Sequence, residues 1–203
     1  EGGLVRYGMP GADGAIEGAR FDGTRWDLTV IGDQPPVGIC GSGLIDLLAE
    51  LRRHAQMTPR GAFAARAREV VVEPARGITL SREDASNLAQ AKAANACGQI
   101  ILLRRLGLRP EQLDRIYLAG GFASHINVGN AIEIGFLAPV RRDRVLNVGN
   151  AALQGARRLL LSRSRRAALD EFVARIEHVE LETTADFFEL FVENCEFKPL
   201  ATA

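Results

Sequence analysis

Two glycine-rich stretches hold the residues whose types and spacing could do chemistry. The first is Gly38-Ile39-Cys40-Gly41-Ser42-Gly43, which runs directly into Leu44, Leu47, Leu48 and Leu51 at helical spacing. Backbone N–H groups with nothing bulky in front of them can hold phosphate, and a helix N-terminus adds partial positive charge. The stretch lacks the Lys-Ser/Thr of a P-loop. Taken alone, it reads better as a tight strand-to-helix turn. The second is Gly120-Gly121-Phe122-Ala123, placed after the apolar run Arg115-Ile116-Tyr117-Leu118-Ala119. Two glycines at the end of a strand let a flat ring lie against the backbone, which suits adenosine. A tight turn without a ligand accounts for them equally well.

Other reactive side chains are scattered. Asp46 follows the first loop on its helix, where a core-edge or capping role stands beside a catalytic one. Cys40 reads as a small buried side chain in a turn. His54, His125 and His178 show no ligand spacing. The three cysteines, Cys40, Cys97 and Cys195, are odd in number and dispersed, which argues against a disulfide framework or a cluster site and for a reducing cytoplasm. No metal is assigned to protein ligands; Mg²⁺ would arrive with a nucleotide.

The elements that must position the loops follow from pattern. Ala15–Phe21 and Trp26–Ile31 flank Asp22-Gly23-Thr24 as a hairpin, and Pro35-Pro36 ends the second strand. Residues 56–68 have no period and read as an exposed connection. Val70–Val72 and Ile78–Leu80 are short strands. Ser81 caps a helix from Arg82 to Leu106 that stops at Gly107, its small residues admitting a close neighbour. Residues 115–119 form a short buried strand. Val145–Val148 forms another, leading into a helix from Ala151. Asn127-Val128-Gly129-Asn130-Ala131 recurs as Asn147-Val148-Gly149-Asn150-Ala151, which makes Asn130 and Asn150 the expected N-caps. A helix near 163–175, a strand around Ile176–Leu181 and an aromatic segment at Phe187, Phe188 and Phe191 close the chain.

Lys+Arg and Asp+Glu are equal at 25 each, so no bulk charge points to nucleic acid or an anionic membrane. Basic clusters at Arg141–Arg144 and Arg163–Arg166 read as solvated surface. No apolar run is long enough to span a bilayer. The opening Glu1-Gly2-Gly3, without an initiator Met, looks like the interior of a longer protein.

The order of elements is more informative than either loop. A hairpin, a glycine loop with its helix, a long helix and then strand-Gly-Gly-loop-helix is the layout of the second half of the actin/Hsp70/sugar-kinase (ASKHA) ATPase fold. We therefore expect an α/β fold with a mixed sheet flanked by helices, and both glycine loops on one edge. On that layout Gly120, Gly121 and Phe122 are the leading nucleotide contacts, with Phe122 also a core candidate. Gly41, Ser42 and Gly43 follow, near phosphate or closing the cleft. Asn150 lines the adenosine side or simply caps its helix.

Gly14-Ala15-Ile16-Glu17, Gly38–Asp46, Tyr117–Ala123, Val148–Ala156 and the closing Phe187–Pro199 together resemble the C-terminal region of the reductive activators of corrinoid-dependent methyltransferases. The resemblance spans nearly the whole chain. It implies that residues 1–203 are the C-terminal portion of an ASKHA ATP-binding domain. It also implies an upstream lobe with two phosphate loops and a [2Fe–2S] ferredoxin-like domain, neither of which these residues supply. The implied activity is ATP-dependent return of Co(II) corrinoid to Co(I), with ATP and Mg²⁺ as cofactors and a corrinoid protein as partner. A homodimer is also open. Alternatives are another ASKHA kinase, a dehydratase activator, or a docking or dimerisation module without turnover.

Overall fold

A computed structural model describes residues 4–201. Glu1, Gly2 and Gly3 lie outside the described residues. The expected hairpin is present as β1 (Ala15–Phe21) and β2 (Trp26–Val30), paired antiparallel. Its turn closes because the Asp22 carboxylate accepts from the Thr24 and Arg25 backbone N–H groups at 2.8 and 2.9 Å. On its other side β1 pairs in parallel with the two-residue β3 (Gly38–Ile39), so this small sheet is mixed, in the order β2-β1-β3. From β3 the chain passes through Cys40 into α1 (Gly41–Arg53). Gly41, Ser42 and Gly43 therefore form the first turn of a helix rather than a free loop. Leu44, Leu47, Leu48 and Leu51 of α1 are buried, with α1 packed on β1.

The 56–68 connection is less exposed than its sequence suggests. Met57 and Phe63 bridge to each other and are both buried. Two large apolar residues six positions apart, among arginines and alanines, give no period to read. β4 (Glu69–Glu73) and β5 (Ile78–Ser81) form an antiparallel pair, as expected. α2 (Arg82–Leu106) has the expected bounds and a capping box between Ser81 and Asp84, and it ends at Gly107 with φ 63°. Asp84 is buried. It accepts from the Ser81 N–H and hydroxyl at 2.8 and 2.7 Å and from the Arg6 N–H at 2.8 Å. Asp84→Ala strands these donors and should cost about 2–3 kcal/mol, read as a lower urea midpoint at unchanged slope.

The small residues Ala85, Ala89, Ala93 and Ala96 are buried along α2, where they admit close neighbours. Among them lies Lys92, 3% exposed, whose Nζ donates to the Glu196 carbonyl at 2.7 Å. Burial pulls its pKa from 10.5 to about 8. Below about 8 the amine is charged in folded and unfolded chains alike, and its burial penalty is fully present. Between those two values the unfolded chain binds more protons, so stability rises with pH. Wild type should gain about 1 kcal/mol on Lys92→Met between pH 7 and pH 9, measured by denaturant melts. Cys97 and Cys195, whose thiols burial pushes up and the Lys92 charge pulls back down, act in the opposite sense, and losing that charge in Lys92→Met pushes them further up, which widens the difference between the two proteins in the same direction.

β6 (Ile116–Leu118) and β7 (Val145–Asn147) pair in parallel. β6 is not the fully buried strand expected. Ile116 packs beside Ala96, Ala138 and Leu200, but Tyr117 on the other face is exposed. The strands make three small sheets rather than one. After β6 come a 3₁₀ turn over Phe122–Ser124 and α3 (Val128–Glu133); after β7 comes α4 (Ala151–Leu160). The two similar Asn segments are used differently. Asn150 caps α4, as expected, but α3 is capped by Asn127, which accepts from the Asn130 N–H. Asn130 sits inside the helix with its side chain buried in a polar network.

The helix expected at 163–175 is two short ones, α5 (Arg163–Ala167) and α6 (Leu169–Ala174). The strand expected around Ile176–Leu181 does not form. It pairs with none of the three sheets, and Val179 and Leu181 instead pack with Cys97 and Ile101 of α2 and Leu190 of α7 (Phe187–Asn194). Among the described residues no helix is long and apolar enough to cross a membrane.

Candidate functional site

The C-terminal ends of β3 and β6 come together. Gly41 and Ser42 on one side and Gly121 and Phe122 on the other line a cavity of about 270 Å³, with Glu17 and His125 also on its wall. The two glycine loops thus meet, as expected, but across one cavity and not on the edge of a single sheet, since β3 and β6 belong to different sheets. Close approach of the loops depends on Gly41, because a Cβ there would lie 2.5 Å from Phe122 Cε2.

The second loop is fixed by backbone. Gly120 takes φ 101°, which favours glycine, and its N–H donates to the Gly149 carbonyl at 2.8 Å. That bond continues the β6–β7 ladder into both turns. Asn147 Oδ1 accepts from the Gly149 N–H at 2.9 Å and lies 3.2 Å from Ser124 Oγ, tying the turns together. Gly121 differs from Gly120. Its backbone is right-handed helical, φ −61° and ψ −50°, and a Cβ there would meet no protein atom within 4 Å. Neither conformation nor packing within the chain requires glycine at 121. Open space over this backbone is what an incoming flat group needs.

No side chain caps α1. Its first-turn N–H groups have no partner further back in the helix, so they are available to an anion. Ser42 is buried, its Oγ 3.3 Å from Cys40 Sγ. Gly43 faces elsewhere: a Cβ there would run into the carbonyl of Ile16 on β1, and it is not among the cavity's lining residues. Asn150 does not line the cavity either; it accepts from the Leu153 N–H at 2.9 Å. Phe122 has both of the roles considered for it. It lines the cavity and also packs edge-on against Phe136, with ring centroids 5.8 Å apart. Behind it lies a second, apolar cavity of about 270 Å³, walled by Leu44, Leu48, Leu88 and Phe136.

A polar network beside the site was not read from the sequence. Asp46 Oδ1 accepts from Asn130 Nδ2 at 2.7 Å, and Oδ2 accepts from the Ala19 N–H at 3.4 Å. Burial pushes the Asp46 carboxyl above the usual carboxylate range. Arg53 donates to Asn130 Oδ1 at 2.8 Å and pairs with Glu50 and Glu133. The network joins β1, α1 and α3, which gives Asp46 the core-edge role. The spacing of Asp46, Glu50 and Arg53 along one helix face was the available signal. His54 packs edge-on to Phe21, and His125 Nδ1 lies 3.1 Å from the Gly121 carbonyl. Among the described residues no group of three or more His, Cys, Asp or Glu side chains could hold a metal ion.

Residues 1–202 match the family described as the C-terminal domain of RACo, the ASKHA domain. The chain belongs to that family. The solved structure titled "Reductive activator for corrinoid,iron-sulfur protein" superposes on this RACo-type domain with a TM-score of 0.87. It is 32% identical, over 98% of this chain and 35% of that one. Among curated relatives, the corrinoid activation enzyme RamQ of Eubacterium limosum is 29% identical over 97% of this chain and 37% of its own length. A [Co(II) methylated amine-specific corrinoid protein] reductase of Methanosarcina barkeri is 23% identical over 97% of this chain and 39% of its own. The RACo-type domain thus spans little more than a third of the relatives it matches.

Proposed function

We propose that this domain supplies the adenosine-binding side of the ATPase that drives reductive activation of a corrinoid protein, Co(II) to Co(I). The observation that carries the reading is Gly121, a glycine that its own fold does not require, facing the uncapped N-terminus of α1 across one cavity. In this arrangement the Gly120-Gly121 backbone would lie under the base and ribose, and Phe122 would flank them. Gly41 and Ser42 would offer N–H groups toward phosphate, with Gly43 holding α1 on β1 so that its end points into the cavity. Asn150 would act from the adenosine side by fixing the start of α4. Mg²⁺ would come with the nucleotide. The phosphate loops, the [2Fe–2S] cluster and electron transfer would belong to the rest of a longer activator working in the cytoplasm. The relatives named as corrinoid activators support the client.

Closure around nucleotide can be coupled to partner contact, since a ligand that favours one arrangement of the lobes shifts the population toward it. Catalysis of phosphoryl transfer is mostly positioning and charge stabilisation. The 203-residue chain alone is therefore expected to bind ATP weakly and to release phosphate no faster than the uncatalysed background. Calorimetry and a phosphate-release assay check this. Brisk hydrolysis, or no nucleotide binding by a well-folded chain, would overturn the reading.

A further inference from the structure

Among the described residues Glu17 is the one carboxylate on the wall of the cavity between the glycine loops. Its place comes from an irregularity in β1. Ile16 pairs with Val30 of β2 and Gly18 with Thr29, so Glu17 is an extra residue with no opposite number on β2. Such a bulge re-aims a side chain, and bulges are common beside active sites. On its other edge β1 runs parallel to β3, with Ile16 beside Ile39. Both isoleucines are fully buried in the main core. The next residue of each strand, Glu17 and Cys40, lines the cavity instead. Cys40 is also the residue from which α1 starts. The carboxylate thus stands level with the uncapped end of α1, where the function proposed above puts phosphate.

Neither lysine nor arginine lines this cavity among the described residues. The positive field open to a phosphate there is that of backbone N–H groups, and a carboxylate beside them already draws on it. A bare polyphosphate entering the cavity meets a like charge. A polyphosphate carrying Mg²⁺ brings a hard cation, which carboxylates hold together with substrate phosphates, directly or through the cation's waters. We infer that Glu17 selects the ionic form of the nucleotide: it favours the Mg²⁺ complex and repels the metal-free polyphosphate. This rests on the function proposed above and names a specificity residue within it.

The test measures binding of ATP to the 203-residue chain by calorimetry, with excess Mg²⁺ and with EDTA. Inorganic pyrophosphate serves as a second probe that carries no adenosine. Glu17→Gln removes the charge at nearly constant size, and a bulged residue has no cross-strand pair to lose, so the variant should melt like wild type. Wild type should bind both ligands more tightly with Mg²⁺. In Glu17→Gln the metal-free forms should bind about tenfold more tightly and the Mg²⁺ forms about tenfold more weakly, so the preference for metal falls about a hundredfold. A carboxylate with a purely structural role, or one that accepts from ribose hydroxyls, shifts the two forms of ATP alike. Such an equal shift, or no shift at all, would overturn the inference and leave the function standing. The expected opposite shifts with pyrophosphate, without any binding of ATP, would support the selection by Glu17 and overturn the adenosine site alone. Binding of neither ligand by well-folded wild type would overturn both.

Discussion

Gly121→Val is expected to abolish adenosine-nucleotide binding by the isolated chain while leaving its melting temperature unchanged or slightly raised. At φ −61° and ψ −50° residue 121 has a conformation that any L residue adopts. The new Cβ would meet nothing within 4 Å, so the protein has no packing reason to resist it. Replacing a glycine in a compatible conformation stabilises by about 0.4–1 kcal/mol through the unfolded chain, which valine's stiffer side chain partly offsets. For a flat ring that must lie on the Gly120-Gly121 backbone, the branched side chain occupies the space it needs. Affinity should fall by about five- to 150-fold, several methyl-sized overlaps at roughly 1–3 kcal/mol in total, which takes an already weak interaction out of the measurable range. Calorimetry and thermal melts on wild type and Gly121→Val decide it. A folded variant with undiminished affinity would place the site elsewhere.

Gly43→Val is expected to give the opposite pattern: no soluble folded protein. Gly43 is the residue through which α1 rests on β1. A Cβ there would overlap the Ile16 carbonyl oxygen and come within 3.1 Å of Ile39 Cγ2. The obstacle is strand backbone, so it cannot swing aside as a long side chain would. α1 would have to lift, and with it Leu44, Leu47, Leu48 and Leu51, four buried leucines. Overpacking costs about 1–3 kcal/mol when a core can adjust and more when it cannot. Against a typical total of about 5–15 kcal/mol, only a cost above that range unfolds a domain, and the loss of four leucines from the core together with the backbone clash supplies it. Circular dichroism and soluble yield give the readout. A stable, cooperatively melting Gly43→Val protein would show that α1 and β1 are not held at this contact. The two glycines, alike in sequence, thus serve ligand and core respectively.

That difference marks where the sequence stops being readable. Elements closed by local chemistry were legible. The Ser81–Asp84 box and Gly107 bracket α2, and Asp22 closes the hairpin, because each signal and its effect lie within a few residues. Elements whose form depends on distant neighbours were not. Ile176–Leu181 has strand-like residues but packs Val179 and Leu181 against α2 and α7 instead of pairing. Tyr117 has a strand neighbour but no cover on its outer face. Asn130 stands where a cap was expected, yet Asn127 supplies the cap, and Asn130 instead bonds to Asp46, 84 positions away. The meeting of the two glycine loops was legible from their order along a familiar layout. The roles of individual glycines were not, since only three-dimensional neighbours distinguish Gly43 from Gly121.

The placement of Phe197 has a consequence for how the chain is made. This ring is 1% exposed and joins the main core, its N–H donating to the Pro59 carbonyl at 2.7 Å and its carbonyl accepting from Arg52 at 3.0 Å. On the ribosome α1 and α2 emerge long before it. At about 5–20 residues per second, on the order of ten seconds separate the end of α2 from Phe197. For that interval the apolar groove that Phe197 fills, beside Arg52 of α1 and Lys92 of α2, waits for the segment that carries the ring. Chaperones that shield apolar grooves have their window there, and a premature stop ahead of Phe197 leaves a product that proteases can recognise by the same open groove.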